Sequence, residues 1–465
     1  VIYKDVYDGI DCVFTLRDGG FKYDFLVYPG ADPSVIRLRY DGAEFALQTM
    51  EGGLLTGTPL GSLEEHPPVS YQGGAEIETS YSMFGSELKF DVGAYDPSRR
   101  LRIDPWVTYF GGSGNEGFHD GSCDNSGNVV AGGSTTSFDY PMKSGYQLTK
   151  LNGIDGVITK ISADGQSLIW STFFGGDGDD YTFALEHDGL QNIIVAGVTS
   201  STNMPMLNAT QDQFGGVQDY FITKFNSNGT LSWSTYYGGS DQEGYSSPGG
   251  ARVGYTGLTV DPASRVYLTG STRSSDLAVP GAFQSGHAGG VTDAFIVKFS
   301  SDGALCWATY LGGSIGENGS SASVVNFNRI AFCGTTRSSD FPLLHAMNFT
   351  HTGYYSTFIS EFDSSGTLLM STLYSGNGGD MGMGLAAEAS GALYVTMSTN
   401  SDNLSTKKAF QSTFGGGDRD MYLCKLASPS TPTSPRSLNW ATYLGGSQQD
   451  YAHPNGITLS PSGYV

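Results

Sequence analysis

Hydrophobic positions in this chain come in short runs. Most are four to eight residues long, rich in Val, Ile, Tyr, Phe and Thr, and separated by Gly, Asp, Asn and Ser. Runs of that length and composition predict β-strands joined by tight turns. One run recurs. It reads WVTYFGG from Trp106, WSTFFGG from Trp170, WSTYYGG from Trp233, WATYLGG from Trp307, MSTLYSG from Met370 and WATYLGG from Trp440. Every one of the 5 Trp stands in this register. A fixed spacing of this kind predicts a repeat architecture.

Each period predicts four strands. A weak first strand follows the Gly-Gly loop and is clearest as GLTVD from Gly257 and GITLS from Gly456. The second reads VVAG from Val129, IIVAG from Ile193, VYLTG from Val266, IAFCG from Ile330 and LYVTM from Leu393. After a Thr-rich turn, the third reads DGVITK from Asp155, DYFITK from Asp219, DAFIVK from Asp293, STFISE from Ser356 and DMYLCK from Asp420. Asp164-Gly, Asn228-Gly, Asp302-Gly and Ser365-Gly then predict hairpins, since glycine takes the positive φ such turns need. The fourth strand carries the Trp cassette. In one period a Ser/Pro-rich link from Ser428 to Ser437 replaces the hairpin, and another has an insertion from Tyr245 to Tyr255.

Four antiparallel strands per period predict the blades of a β-propeller. Five blades are complete. The sixth stops in its second strand at Val465, so the sequence reads as cut within the ring. The cassette at Trp106 lacks the other three strands and is expected to close that ring as an outer strand. Residues 1–103 lack the cassette. Alternation in FKYDFLVY from Phe21 and ELKFDVG from Glu87 predicts a small β-sandwich-like domain, itself truncated. The expected organisation is thus 1–103 followed by a propeller over 104–465.

These motifs carry a resemblance. The W-S-T-Y-x-G-G cassette, the second strand ending G-x-T-x-S and the third strand D-A-F-I-x-K-F resemble the SBBP β-propeller repeat family, named for seven-bladed propellers. YKDVYDGID from Tyr3 and YPGADPSVIRLRYDGA from Tyr28 are similar to the uncharacterised domain that commonly precedes such repeats. The resemblance implies a secreted or surface-exposed protein and no catalytic residues. Ser356, Glu361, Met370 and Ser375 depart from the motif and are expected to mark drifted blades.

Composition narrows the function. Net charge is −22, from 24 basic against 46 acidic residues. That excludes phosphate-backbone binding, which needs a basic surface, and permits cation binding. No apolar run is long enough to span a bilayer. The 5 cysteines have no metal spacing and are expected to be small buried hydrophobes. Sequons stand at Asn208, Asn228, Asn318, Asn348 and Asn403.

An acid follows each cassette: Glu116, Asp180, Glu243, Glu317, Asp380 and Asp450. It is expected to accept backbone N–H bonds and fix the loop, against the alternative of a carboxylate ring that binds cations. Asp177, Asp179 and Asp180 form the densest acidic loop and the candidate calcium site, although the EF-hand pattern fails at Tyr181 and Thr182. Gly312-Gly-Ser-Ile-Gly316 fits G-x-S-x-G but lies in a cassette loop, not a strand-to-helix turn. His345 and His351 share one loop. A channel-site enzyme would need acids or histidines on the first strands, where only Glu186, His187 and Glu388 appear. The sequence therefore predicts a non-enzymatic extracellular protein, structural or adhesive, presenting loops on a rigid ring. It would self-assemble, as in a surface filament, or bind other extracellular proteins. A carbohydrate-binding module is the alternative, with aromatics on one face as its mark. Calcium is the one cofactor with a candidate site.

Overall fold

The computed structural model describes residues 2–17, 20–40, 45–49, 52–58, 61–65, 67–73, 75–84, 87–104, 110–163, 165, 167–244, 256–326, 328–348, 351, 354–431, 434–453 and 456–459. The cassette at Trp106, the turn residue Asp164, the insertion from Tyr245 and the final residues to Val465 lie outside them. Among the described residues the fold is all-β, with a single 3-10 turn at Pro33–Val35 and no helix able to cross a membrane. The chain divides into two compact units: 1–113 with 139–141 and 161–168, and the remainder.

In the first unit, a six-stranded sheet runs in the order Ile2–Tyr7, Ile10–Arg17, Gly20–Val27, Leu101–Asp104, Val69–Gln72, Ala75–Ile77. A hairpin of Thr79–Phe84 and Glu87–Val92 and a three-stranded sheet from Phe45–Gln48 to Gly61–Glu65 complete it. Alternate residues of these strands, among them Phe25, Val27, Leu54, Phe90 and Ile103, share one buried core.

Among the described residues the second unit repeats one object five times. Each sheet has four antiparallel strands in simple chain order. Sheet one comprises Glu116–Cys123, Val129–Thr135, Asp155–Ile161 and Leu168–Phe174. Sheet two comprises Asp180–His187, Ile193–Thr199, Asp219–Phe225 and Leu231–Tyr237. Sheet three comprises Gly257–Val260, Val266–Thr272, Asp293–Phe299 and Leu305–Leu311. Sheet four comprises Glu317–Asn326, Arg329–Thr336, Ser356–Asp363 and Leu368–Tyr374, and sheet five Asp380–Ala387, Leu393–Thr399, Asp420–Leu426 and Leu438–Leu444. The four strands predicted per period are all present. Second and third strands are buried on both faces, because successive sheets pack face to face around apolar cores. Each first strand also lies against the first strand of the next sheet.

The cassette explains the packing. Trp170 of sheet one packs on Phe225 of sheet two with ring centroids 6.3 Å apart, and its Nε1–H donates to the Ser227 carbonyl at 3.2 Å. Trp233 repeats this with Phe299 and Ser301, and Trp307 with Phe362 and Ser364. The hairpin glycine of the next sheet lies flat under the indole. At Gly229, φ is +84° and a Cβ would stand 2.8 Å from Trp170 Cδ2, so glycine is required twice over. The third-strand lysine joins the same junction: Lys224 pairs with Asp188 at 2.8 Å and donates to the Ser301 carbonyl at 3.4 Å.

Between sheets four and five this arrangement is rewritten. Glu361 stands where the other sheets have lysine. It receives Arg329 at 2.5 Å and Arg436, which is wholly buried and comes from the Ser/Pro-rich link. Arg436 also donates to the carbonyls of Gly391 at 2.8 Å and Ala427 at 3.1 Å. Met370 replaces Trp where that link provides no hairpin glycine, and shares a core with Leu426 and Leu438. The departures at Glu361, Met370 and the link are thus one coupled change rather than independent drift.

Candidate functional site

Four of the six cassette acids, Asp180, Glu243, Glu317 and Asp380, are buried, and Glu116 and Asp450 are half-buried. Asp180 is fully buried. Its carboxylate accepts from the Gly176 N–H at 2.7 Å, from Ser201 Oγ at 2.8 Å and from Thr199 Oγ1. Asp380 receives the equivalent Gly376, Ser401 and Thr399 donors, and Glu317 accepts from Gly313 and Thr336. The end of the second strand and the turn after it thus supply the hydroxyl donors that the carboxylate needs, and the acid in turn fixes the Gly-Gly loop. Asp179 accepts from the Ile154 N–H at 3.1 Å, and the Asp177 N–H donates to Asn203. Asp177, Asp179 and Asp180 are therefore not drawn to one point. Among the described residues no three acid, His or Cys side chains converge as a metal ion would require.

The first strands build a different place. All five of them, with residues 457–459, line one cavity of about 350 Å³. A β-bulge in the first strand of sheets one, two, four and five, at His119, Phe183, Ser320 and Met383, shifts the register just before the cavity-lining stretch. A bulge re-aims the side chains that follow it. The pairing registers set Asp120 equivalent to Ala184, Gly257, Ser321 and Gly384, and Glu186 equivalent to Ser122, Thr259, Ser323 and Ala386. Small or hydroxyl-bearing residues are the rule here. Asp120 and Glu186 break it, and they are the charged side chains of the lining.

Asp120 is held in place. Its Oδ2 accepts from the Leu185 N–H of the next first strand at 2.8 Å, and its Oδ1 from the Gly121 N–H at 2.8 Å. Burial still raises its pKa above the ordinary carboxylate range, against those two bonds. Burial, with the Asp120 charge second, pushes Glu186 up to about 7. A carboxyl that titrates near neutrality can serve as either proton donor or acceptor. Beside it, Ser122 Oγ lies 2.9 Å from His187 Nδ1, and burial depresses the His187 pKa. His187 Nε2 is buried with no hydrogen-bond partner. Ser321 and Ser323 hydroxyls accept from the backbone N–H groups of Leu385 and Ala387 at 3.2 and 3.0 Å.

Of the residues singled out on the first strands, Glu186 lines the cavity and His187 stands behind Ser122. Glu388 does not join them: it pairs with Lys425 at 2.9 Å, and the Ser390 hydroxyl and Lys425 hold its carboxyl down at about 2. His351 Nδ1 lies 2.6 Å from Ser356 Oγ. Asp120 was missed, although alignment of the periods on their cassettes exposes it as an acid among small residues. Asn318 lies within a strand, whereas Asn208, Asn228 and Asn403 are exposed. The five thiols are free, with Cys123 and Cys306 exposed.

A family model described as "Domain of unknown function (DUF7948)" matches residues 1–106. No curated protein matches the chain. Solved structures do. A protein of unknown function from Dyadobacter fermentans DSM 18053 is 10% identical with a TM-score of 0.36, over 85% of this chain and 96% of that one. A polysaccharide lyase of family PL25, an ulvan lyase bound to -[GlcA(1-4)Rha3S]-, is 10% identical with a TM-score of 0.34, over 90% and 86%. Rhamnogalacturonan lyase YesW is 12% identical with a TM-score of 0.29, over 94% and 69%. The expectation that the chain is not an enzyme is not retained, because Asp120 and Glu186 converge on one cavity. It had rested on an absence of convergent acids, and the cavity holds two.

Proposed function

We propose that the five sheets are blades of a closed β-propeller of SBBP type, in a protein that works outside the cell, and that the cavity between the first strands is an axial binding site for a carbohydrate. The ring is supported by the stepwise packing of the first strands. In a closed ring a further blade would cover Trp440, which is half-buried where Trp170, Trp233 and Trp307 are enclosed. The observation that carries the site is the break in repeat symmetry at Asp120 and Glu186. A side chain required by every blade is architectural, whereas a ligand group belongs to one or two. Carboxylates, hydroxyls and apolar Leu185, Leu258 and Leu385 in one cavity suit a ligand with hydroxyl donors and apolar ring faces. Trp170, Trp233 and Trp307 lie between sheets and take no part in it.

The test is titration calorimetry with neutral, amino and uronic-acid oligosaccharides, on the native chain and on Asp120→Asn and Glu186→Gln. A neutral or amino sugar should bind, a uronate should bind more weakly, and each variant should lose on the order of 10- to 100-fold, the range for a hydrogen bond to a charged group. Reducing-end release by the native chain, lost in Glu186→Gln, would extend the site to catalysis. No binding by any class, or variants that bind like the native chain, would overturn the proposal. A second reading, docking of another extracellular protein or a second copy, is favoured by the apolar side chains exposed between second and third strands. Phe410 is 91% exposed and Phe138 69%. Concentration-dependent assembly abolished by Phe410→Ser would support it.

A further inference from the structure

The third-strand aspartates of sheets two and three, Asp219 and Asp293, are fully buried. One oxygen of each is anchored. Asp219 Oδ2 accepts from the Gly215 N–H at 2.8 Å and from Gln211 Nε2 at 3.3 Å. Asp293 Oδ2 accepts from the Ala288 N–H at 2.7 Å and from Gln284 Nε2 at 3.3 Å. The other oxygen, Oδ1, is buried with no hydrogen-bond partner in either case. Next to each lies the equally buried cassette acid of the following sheet, Glu243 beside Asp219 and Glu317 beside Asp293. The loop glycine packs against the aspartate: a Cβ on Gly312 would stand 2.7 Å from Asp293 Oδ2. Two buried like charges with an orphaned oxygen cannot both ionise without large cost.

We propose that each of these two carboxyl pairs holds a shared proton at neutral pH, and that the pairs are pH-sensitive latches tying sheet two to sheet three and sheet three to sheet four. The pair bridges the third strand of one sheet and the start of the next, so its proton sits on the junction itself. The groups that face it are few. Among the described residues, those around Asp219 and Glu243 are Thr272, Ser274 and the phenols of Tyr220, Tyr236, Tyr237 and Tyr310. Around Asp293 and Glu317 the described ones are His287, its Nδ1 3.7 Å from Asp293 Oδ1, Tyr310 and Asp340. Burial pushes Asp219 up to about 6, Asp293 up to about 7 and Glu243, with the Asp219 charge also raising it, up to about 8. The junction after sheet four omits the device. Ser356 replaces the aspartate and bonds His351, and Asp380 is left with hydroxyl and N–H donors.

The sign follows from linkage. An acid whose folded pKa is raised binds more protons folded than unfolded, so its contribution is whole below the ordinary carboxyl range and is lost as pH rises through 6 to 8. Each proton makes unfolding up to ten-fold easier per pH unit between the ordinary carboxyl range and the folded value, and the slope fades to zero above that value. The experiment follows denaturant unfolding of the full chain from pH 5 to 9, with and without chelator, for the native chain, Asp219→Asn and Glu243→Gln. A protonated-carboxyl infrared band at pH 7 is the second readout. The native chain should lose stability with rising pH, and either variant should lower the slope and diminish the band. A native slope of zero, or variants with the native slope and band, would overturn the proposal. So would a slope that appears only with chelator, which would place a cation between the carboxyls instead.

Discussion

Replacing Arg436 tests whether the rewritten junction is one coupled unit. In Arg436→Met the aliphatic stem is kept and the guanidinium removed. Glu361, itself fully buried, would lose one of its two cations and keep Arg329 at 2.5 Å. The carbonyls of Gly391 and Ala427 would lose their donor as well. Breaking a buried pair by removing one partner costs about 3–5 kcal/mol. Because Arg329 still compensates Glu361, the lower end, about 3 kcal/mol, is expected, which is roughly a 150-fold change in an unfolding constant. The assay is urea denaturation followed by Trp fluorescence, on Arg436→Met, Glu361→Gln and the double variant. With both charged partners gone, no buried charge is stranded opposite Arg436. The double variant should therefore be destabilised by at least about 1 kcal/mol less than the two single losses summed, as for side chains in direct contact. A single-variant loss under about 1 kcal/mol, or strict additivity, would refute the coupling and return Glu361 to an accident of drift.

Three further outcomes are expected. Gly229→Ala meets both a positive φ and the Trp170 indole, and should cost about 1–3 kcal/mol with a shift in Trp emission, whereas Gly189→Ala, which meets nothing within 4 Å, should be near neutral. Since Glu186 titrates at about 7, its charge is present above that pH and lost below it. The affinity of an amino sugar should accordingly fall as pH drops from 8 to 6, and Glu186→Gln should flatten the profile. Thiol labelling of the folded chain should reach Cys123 and Cys306 alone. Cys12, Cys333 and Cys424 are buried, with burial pushing Cys12 up to about 11 and Cys424 up to about 12, and should react only on unfolding.

The repeat was legible because its chemistry is local. A Trp, a hairpin glycine and a short apolar third strand each impose their geometry within a few residues, so the four strands of each sheet could be placed from spacing. The loop acid was legible for the same reason: it must find donors within the turn it closes, and Gly176 and Gly376 provide them. The candidate site was not. Its first strands are bulged, as between Thr182 and Ala184, and a bulge erases the alternation by which a strand and its faces are recognised. Whether Asp120 and Glu186 meet depends on where neighbouring sheets set them, across 66 positions of sequence. Glu361 and Arg436, 75 residues apart, are the same lesson in the core. Short-range patterning determined what each sheet is. Which side chains stand together was decided by how one sheet packs on the next, because burial and electrostatic partnership are properties of the assembled junction and of no single strand.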